Sequence, residues 1–398
     1  MRSFRDAVGD PDAVYVVAEA GVNHNGDVEV AERLVDAAAE SGADAVKFQT
    51  FAADRLVTAE APKADYQDET TDDRSQREML ENYELSRADH ERLQSYCDER
   101  GITFLSTPFD AESADLLADL GVPVVKIGSG ELDNFPLLEH VAALGRPMIV
   151  STGMGTMAEV REAFETIRGA NPDVDLVFLH CTSAYPTEMA DANLRAMETM
   201  AEELPVPVGY SDHTTAPETP GLAVAAGATV VEKHFTLSKR LPGPDHRASL
   251  EPDELDRAVS LARDAAVARG DPEKRPTDEE RQNRSVIRKS VHATERVPAG
   301  ERLTAERVAV TRPADGLPPK TYDSLVGATV SETLARGEAV TEDAVETEID
   351  ANDESFDSEA DSESNADSNS KNDSHSNADS ELNADSNADP NSESRRSR

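Results

Sequence analysis

Two histidines, His213 in GYSDHT and His234 in EKHFT, close two consecutive apolar runs of this 398-residue chain. Two lysines, Lys47 in VKFQ and Lys126 in VKIG, stand near the ends of two others, in a sequence with 9 lysines against 30 arginines. Polar residues share these run ends: Glu19, Gln49, Ser106 with Thr107, Ser129 with Glu131, Ser151, His180, Ser211 and Glu232. Lysines among hydroxyl donors suit a small anion, because charge-assisted hydrogen bonds are the strong ones. Two neutral imidazoles with open positions suit Mn, Fe, Co or Zn better than Mg, which prefers oxygen ligands. A carboxylate beside them can accept a proton. Plainer readings stay open. Lys47 and Lys126 could pair with Glu19 and Glu131, and the histidines could be two unrelated hydrogen-bonded side chains. His24, in GVNHNG, reads as a loop hydrogen-bonder, and Cys181 reads as core.

What must position these residues is a set of eight short runs, at 14–20, 43–49, 102–106, 124–128, 147–152, 176–181, 206–211 and 228–234. Most are β-branched or continuously apolar. Helical patterns lie between them: Ala31, Leu34, Val35 and Ala38 repeat at i, i+3, i+4, i+7, and Gly42 stops that helix. Continuous apolar strands separated by helices mean a parallel sheet buried on both faces. Eight such units in about 250 residues predict an α/β fold of the closed (β/α)8 TIM-barrel type, whose active site lies at the C-terminal strand ends. A doubly wound open sheet is the alternative. The long polar segment 51–86 then rises from that same end, as functional loops do. The barrel domain spans 1–268, a linker 269–284 and a small β-rich domain 285–348.

Residues 349–398 form an acidic low-complexity tail in which Asn-Ala-Asp-Ser recurs three times. It has almost nothing apolar to bury, so disorder is expected. The formal net charge is −41, and the tail from 351 accounts for only −9 of it. A folded part so acidic and so poor in lysine reads as a cytoplasmic protein of a salt-loving organism, an unusually acidic mesophile protein being the alternative. The charge argues against nucleic acid. No run reaches the roughly 18–20 apolar residues of a membrane span, and the N-terminus lacks a signal core. Cys97 and Cys181 are too few for a disulfide framework or a thiolate zinc site.

Nine ordered blocks over about residues 14–348 resemble the sialic acid (N-acetylneuraminate) synthase family: AEAGVNHNG, VKFQTF, STPF, VKIGSGE, STGM, HCTSAYPT, GYSDHT, EKHFT and RPADG. The family includes the synthases of legionaminate and pseudaminate. The resemblance implies a TIM barrel followed by an antifreeze-like (β-clip) domain. It implies a transferase that condenses phosphoenolpyruvate (PEP) with an N-acetylated hexosamine, giving a nonulosonic acid and phosphate. The sugar would be N-acetylmannosamine or a 2,4-diacetamido-trideoxyhexose. By motif, His213 and His234 hold a divalent metal, Mn2+ foremost with Mg2+ or Co2+ as alternatives. Glu19 is the water-orienting base, and Lys47, Thr107, Lys126, Ser129, Ser151 and Ser211 form the PEP set. Ser183 joins them where some members carry Asn. Gln49, Glu131, Tyr185 and Asp245 contact sugar hydroxyls. Arg312 reaches the sugar's acyl group in the partner subunit, which implies a domain-swapped homodimer. A 3-deoxy-heptulosonate-type synthase, a non-catalytic PEP- or sugar-binding homologue and an ice-binding protein are the competing readings.

Overall fold

The computed structural model describes residues 3–10, 12–63, 73 and 75–346. The tail predicted from 349, and part of the 51–86 segment, lie outside the described residues. The chain divides into two compact units, Met1–Pro272 and Glu273–Arg398.

The first unit holds eight strands: β1 (Tyr15–Gly21), β2 (Ala45–Thr50), β3 (Thr103–Pro108), β4 (Val125–Ile127), β5 (Met148–Ser151), β6 (Leu176–Cys181), β7 (Val208–Asp212) and β8 (Val230–His234). Each starts within two residues of the run that predicts it. They form one sheet in the order β3-β2-β1-β8-β7-β6-β5-β4, every pair parallel. This is the cyclic order of a barrel, and β3 packs beside β4 to close the ring without a registered ladder. The open-sheet alternative is excluded.

Side chains alternate between the two faces of a strand. One set points inward, where Tyr15, Val17, Ala45, Leu105, Val124, Ile149, Val177, Leu179 and Val230 form a dry plug, joined from below by Phe4 and Ala7 of the N-terminal helix Phe4–Gly9. The other set meets the helices in a larger outer core, with Val16, Ala18, Val46, Phe48 and Phe104 against Leu34, Val35, Leu93 and Cys97. The helices begin and end where the sequence dictates. Ser86 and Asp89 make a reciprocal capping box for Arg87–Arg100, and Gly101 ends that helix at φ 70°.

The second unit is β-rich. Strands β9 (Ser290–Ala293) and β10 (Val308–Thr311) pair antiparallel, as do β11 (Thr329–Val330) and β12 (Val345–Glu346). Val291, Val297, Leu303, Leu325, Val330, Leu334 and Val340 form its separate small core. The segment read as a linker, 269–284, runs into a helix, Asp278–Ile287, which is started by a Thr277/Glu280 capping box and extends three residues past the linker's end.

Candidate active site

The inward parity that builds the plug also builds the site above it. On β1 the inward residues run Tyr15, Val17, Glu19. On β2 they run Ala45, Lys47, Gln49. On β8 they run Val230, Glu232, His234. Each strand thus turns polar at its C-terminal end, and the polar layer lines a cavity of about 530 Å3. Fourteen of the predicted residues line it together: Glu19, Lys47, Gln49, Thr107, Lys126, Ser129, Glu131, Ser151, Ser183, Tyr185, Ser211, His213, His234 and Asp245. The fifteenth, Arg312, belongs to the second unit, one residue after β10.

Two strand-end residues have the opposite parity. Ser106 faces outward to Thr50 and the buried His90, with Thr50 Oγ1 2.6 Å from Ser106 Oγ and 2.7 Å from His90 Nε2. His180 also turns away, and its Nε2 bonds Ala192 O at 3.1 Å.

At the cavity floor the two lysines and two carboxylates interlock. Lys47 Nζ lies 2.7 Å from Glu19 Oε2 and donates to Thr107 Oγ1 at 3.0 Å. Lys126 Nζ donates to Ser151 Oγ at 2.7 Å and to Ile127 O at 3.0 Å. Glu232 Oε1 sits between them, 3.9 Å from Lys47 and 3.7 Å from Lys126, and accepts from Ser211 Oγ at 3.3 Å. All four charged groups are at most 4% exposed. Burial, reinforced by the nearby Glu232 charge, pushes the Glu19 carboxyl up to about 7 against the pull of Lys47. Burial pulls the Lys126 ammonium down. Lys47 is held above its ordinary value because Glu19 and Glu232 outweigh its own desolvation. Lys47 and Lys126 therefore pair with Glu19 and Glu232, while Glu131 accepts from Asn134 Nδ2 at 2.6 Å.

A second group faces them. The His213 and His234 rings lie 5.2 Å apart, with the Tyr185 ring 4.2 Å from His213 and tilted 39° to it. His213 Nδ1 is 2.7 Å from Thr182 O, so it carries a proton and Nε2 is the nitrogen that can act as an electron-pair donor in the neutral ring. His234 Nδ1 is buried without a hydrogen-bond partner among the described residues, and its nearest anion, Asp245 Oδ2, is 4.0 Å away. Burial drives the His234 ring well below its ordinary value, with His213 adding to the effect, so it is neutral. Among the described residues no group of three or more His, Cys, Asp or Glu is assembled for a metal. His213 is held above its ordinary value, its burial outweighed by Cys181 and the Thr182 carbonyl. With its Nε2 unprotonated, it and the neutral His234, whose buried nitrogen is orphaned, fit a divalent cation that fills its other positions with substrate or water oxygen.

Backbone shape is set by two glycines. Gly21 has φ 53°, and a Cβ there would meet Glu19 Oε1 at 3.2 Å and Gln49 Nε2 at 3.5 Å. Gly153, in STGM, is wedged between Ser183, Ser129 and Cys181, and its N–H donates to Ser129 Oγ at 3.0 Å.

The chain matches the model of the NeuB family over residues 34–274 and that of the SAF domain over 288–346. The chain belongs to the NeuB family. N,N'-diacetyllegionaminic acid synthase of Legionella pneumophila is 46% identical over 83% of this chain and 94% of its own length. The protein of that name from Campylobacter jejuni is 41% identical over 82% of this chain and 98% of its own. Among solved structures, the N-acetylneuraminic acid (sialic acid) synthetase of Leptospira borgpetersenii is 32% identical, with a TM-score of 0.61 over 68% of this chain and 90% of that one. A truncated 3-deoxy-D-arabino-heptulosonate 7-phosphate synthase of Thermotoga maritima is 14% identical at a TM-score of 0.50, over 64% of this chain and 87% of that one, so it shares the fold alone.

For a NeuB-family site, the sequence reading left out three features. Glu232 was seen at a strand end but given no role, although its parity with His234 places it inside. Cys181 was read as core. It is buried, yet its Sγ lines the cavity 3.7 Å from His213 Nδ1. An apolar wall of Val22, Leu56, Val57, Met79, Leu80, Tyr83 and Phe109 rises on one side, much of it from the 51–86 segment.

Proposed function

We propose that this chain condenses PEP with an acylated hexosamine to give a nonulosonic acid and phosphate. The observation that carries the reading is the buried quartet Glu19, Lys47, Lys126 and Glu232, facing the paired imidazoles of His213 and His234 across one cavity. Lys47 and Lys126, with the hydroxyls of Thr107, Ser129, Ser151, Ser183 and Ser211, bind the phosphate and carboxylate of PEP. Gln49, Glu131, Tyr185 and Asp245 take the sugar hydroxyls. His213 and His234 hold a divalent metal, Mn2+ foremost with Mg2+ or Co2+ as alternatives, which when bound polarises the sugar aldehyde as a Lewis acid. The C2=C3 π pair of PEP forms the new C–C bond to the aldehyde carbon, the carbonyl π pair moves to the aldehyde oxygen, and C2 becomes cationic. Glu19, poised near neutrality, orients a water toward C2 and takes its proton. The proton taken by Glu19 ends on the former aldehyde oxygen, the C2–O bond to phosphate breaks with P–O intact, and the C2 hydroxyl proton passes to the leaving phosphate as the ketone forms.

For the sugar we favour a 2,4-diacetamido-trideoxyhexose over N-acetylmannosamine. Two relatives with legionaminic acid in their names support this, and so does the apolar wall, which suits an added acetamido methyl and a deoxy carbon. Arg312 completes the sugar site across a domain-swapped homodimer, a reading that rests on the RPADG motif. Among the described residues no helix is long and apolar enough to cross a membrane. The acidic, lysine-poor composition supports a cytoplasmic enzyme working in high salt.

The test is phosphate release from PEP in molar KCl with Mn2+, run with each sugar and with products identified by mass. Turnover with the diacetamido sugar is expected. No release with any of these sugars, from folded and metal-loaded protein, overturns the reading and favours the non-catalytic homologue.

A further inference from the structure

The barrel wall carries a second charged pair that the cavity does not use. Asp212 on β7 and Lys233 on β8 have outward parity, opposite to Ser211, Glu232 and His234, and they face each other in register. They are 0% and 1% exposed. Lys233 Nζ lies 2.6 Å from Asp212 Oδ2 and also donates to Thr214 O. Asp212 Oδ1 accepts from Thr214 N at 2.9 Å, and Thr214 Oγ1 lies 2.9 Å from Thr219 Oγ1. A buried ion pair is a poor source of stability, because desolvation offsets most of the attraction. Its place in the chain is more informative. Asp212 immediately precedes His213, and Lys233 immediately precedes His234. The pair ties β7 to β8 one residue before each imidazole, and Lys233 grips Thr214 on the far side of His213. Beyond this clamp, His213 is held by the bond from its ring to Thr182 O and by Thr187 N–H at its own carbonyl.

We propose that Asp212 and Lys233 are positioning residues that fix the separation and aim of His213 and His234 from behind the barrel wall. The inference rests on the metal reading above. The lysines that bind PEP stand on β2 and β4, and of the proposed PEP ligands only Ser211 stands on a clamped strand, so the clamp acts chiefly on metal affinity and changes PEP affinity little.

The test uses the full-length chain carrying Lys233→Met. The double variant Asp212→Leu/Lys233→Met serves if the lone buried Asp212 charge prevents folding. Mn2+ binding is read by the electron spin resonance of free Mn2+, and PEP binding by calorimetry without metal. In the folded variant the Mn2+ Kd should rise about tenfold or more, the range of outer-shell effects on metal sites. The PEP Kd should stay within about twofold of wild type. Unchanged Mn2+ affinity overturns the inference. So does an equal loss of PEP affinity, which marks general damage to the barrel. His234→Ala separates the two levels of the argument. If it too binds Mn2+ normally, the metal reading falls. If it loses Mn2+ while the clamp variant binds normally, only the positioning role falls.

Discussion

A single methyl group at position 153 probes the anion site through its geometry. In Gly153→Ala the new Cβ would stand 2.2 Å from Ser183 Oγ, 2.8 Å from Ser129 Oγ and 3.2 Å from Cys181 Sγ. Comfortable contact between carbon atoms is about 3.5–4 Å, so something must move. Both hydroxyls end short side chains that can rotate away. The protein should therefore still fold, at an overpacking cost of about 1–3 kcal/mol. Rotation breaks the bond that Ser129 Oγ accepts from the Gly153 N–H and turns both hydroxyls from the cavity. A hydrogen bond to a charged group is worth about 1.5–3 kcal/mol, so losing one from PEP raises its KM by about tenfold to a hundredfold. The KM for sugar, bound by other side chains, should change less than about threefold, since no hydrogen bond to it is lost. The assay is the initial rate of phosphate release, with each substrate varied at saturation of the other and with thermal unfolding as the folding control. A folded Gly153→Ala protein with an unchanged PEP KM would show that Ser129 and Ser183 do not hold the anion. A rise in the sugar KM alone would move these serines to the sugar side.

Lys47→Met leaves Glu19 and Glu232 facing each other without the cation between them, so kcat/KM for PEP should fall about tenfold to a hundredfold or more, the worth of one charged contact; loss below tenfold in folded protein removes Lys47 from the site. Arg312→Ala should raise the sugar KM, and mixing it with Glu19→Ala protein under subunit exchange should restore activity; failure with exchange confirmed means that each site is completed in cis. His24 is buried, with its Nδ1 accepting from Gly26 N at 3.0 Å, and burial, helped by His90, lowers its ring to about 4. The unfolded chain binds this proton first, near 6.5, so stability is present above that pH and is lost as pH falls toward 4. Between pH 8 and 5 wild type should lose about 2 kcal/mol more than His24→Asn in denaturant titrations, and equal losses would refute the assignment.

The fold was legible because a barrel strand buried on both faces reads as a continuous apolar run, and the site was legible where such runs turn polar. Less of it could be read where the deciding signal was parity. Ser106 and His180 look like site residues by position, yet they face the helices. Glu232 looks like any strand-end carboxylate until His234, two residues on, fixes it inward. The helix Asp278–Ile287 was hidden for a different reason. It buries no residue, so it has no apolar stripe to show, and only Thr277 and Glu280 at capping-box spacing mark its start. The apolar wall was out of reach because Val22, Met79 and Tyr83 are scattered through polar sequence and meet only in three dimensions.

The same parity explains why the charged layer can exist at all. Below Glu19, Lys47 and Glu232 the inward positions are Val17, Ala45 and Val230, none of them exposed. That plug seals the floor from below, and the resulting burial is what lifts Glu19 toward neutrality and lowers Lys126. Opposite charges then have to be interleaved, since a single-sign cluster could not remain ionised there. The alternation Glu19–Lys47–Glu232–Lys126 is that arrangement, with every close approach between unlike charges. On the proposed reaction, an arriving trianion would exchange for the two carboxylates at the two ammoniums. That exchange would leave Glu19 beside the substrate as the proposed proton acceptor. The plug residues, which touch no substrate, therefore set the chemistry: a polar residue at Val17 or Val230 would admit water and return Glu19 to the ordinary carboxylate range, where it is a weaker base.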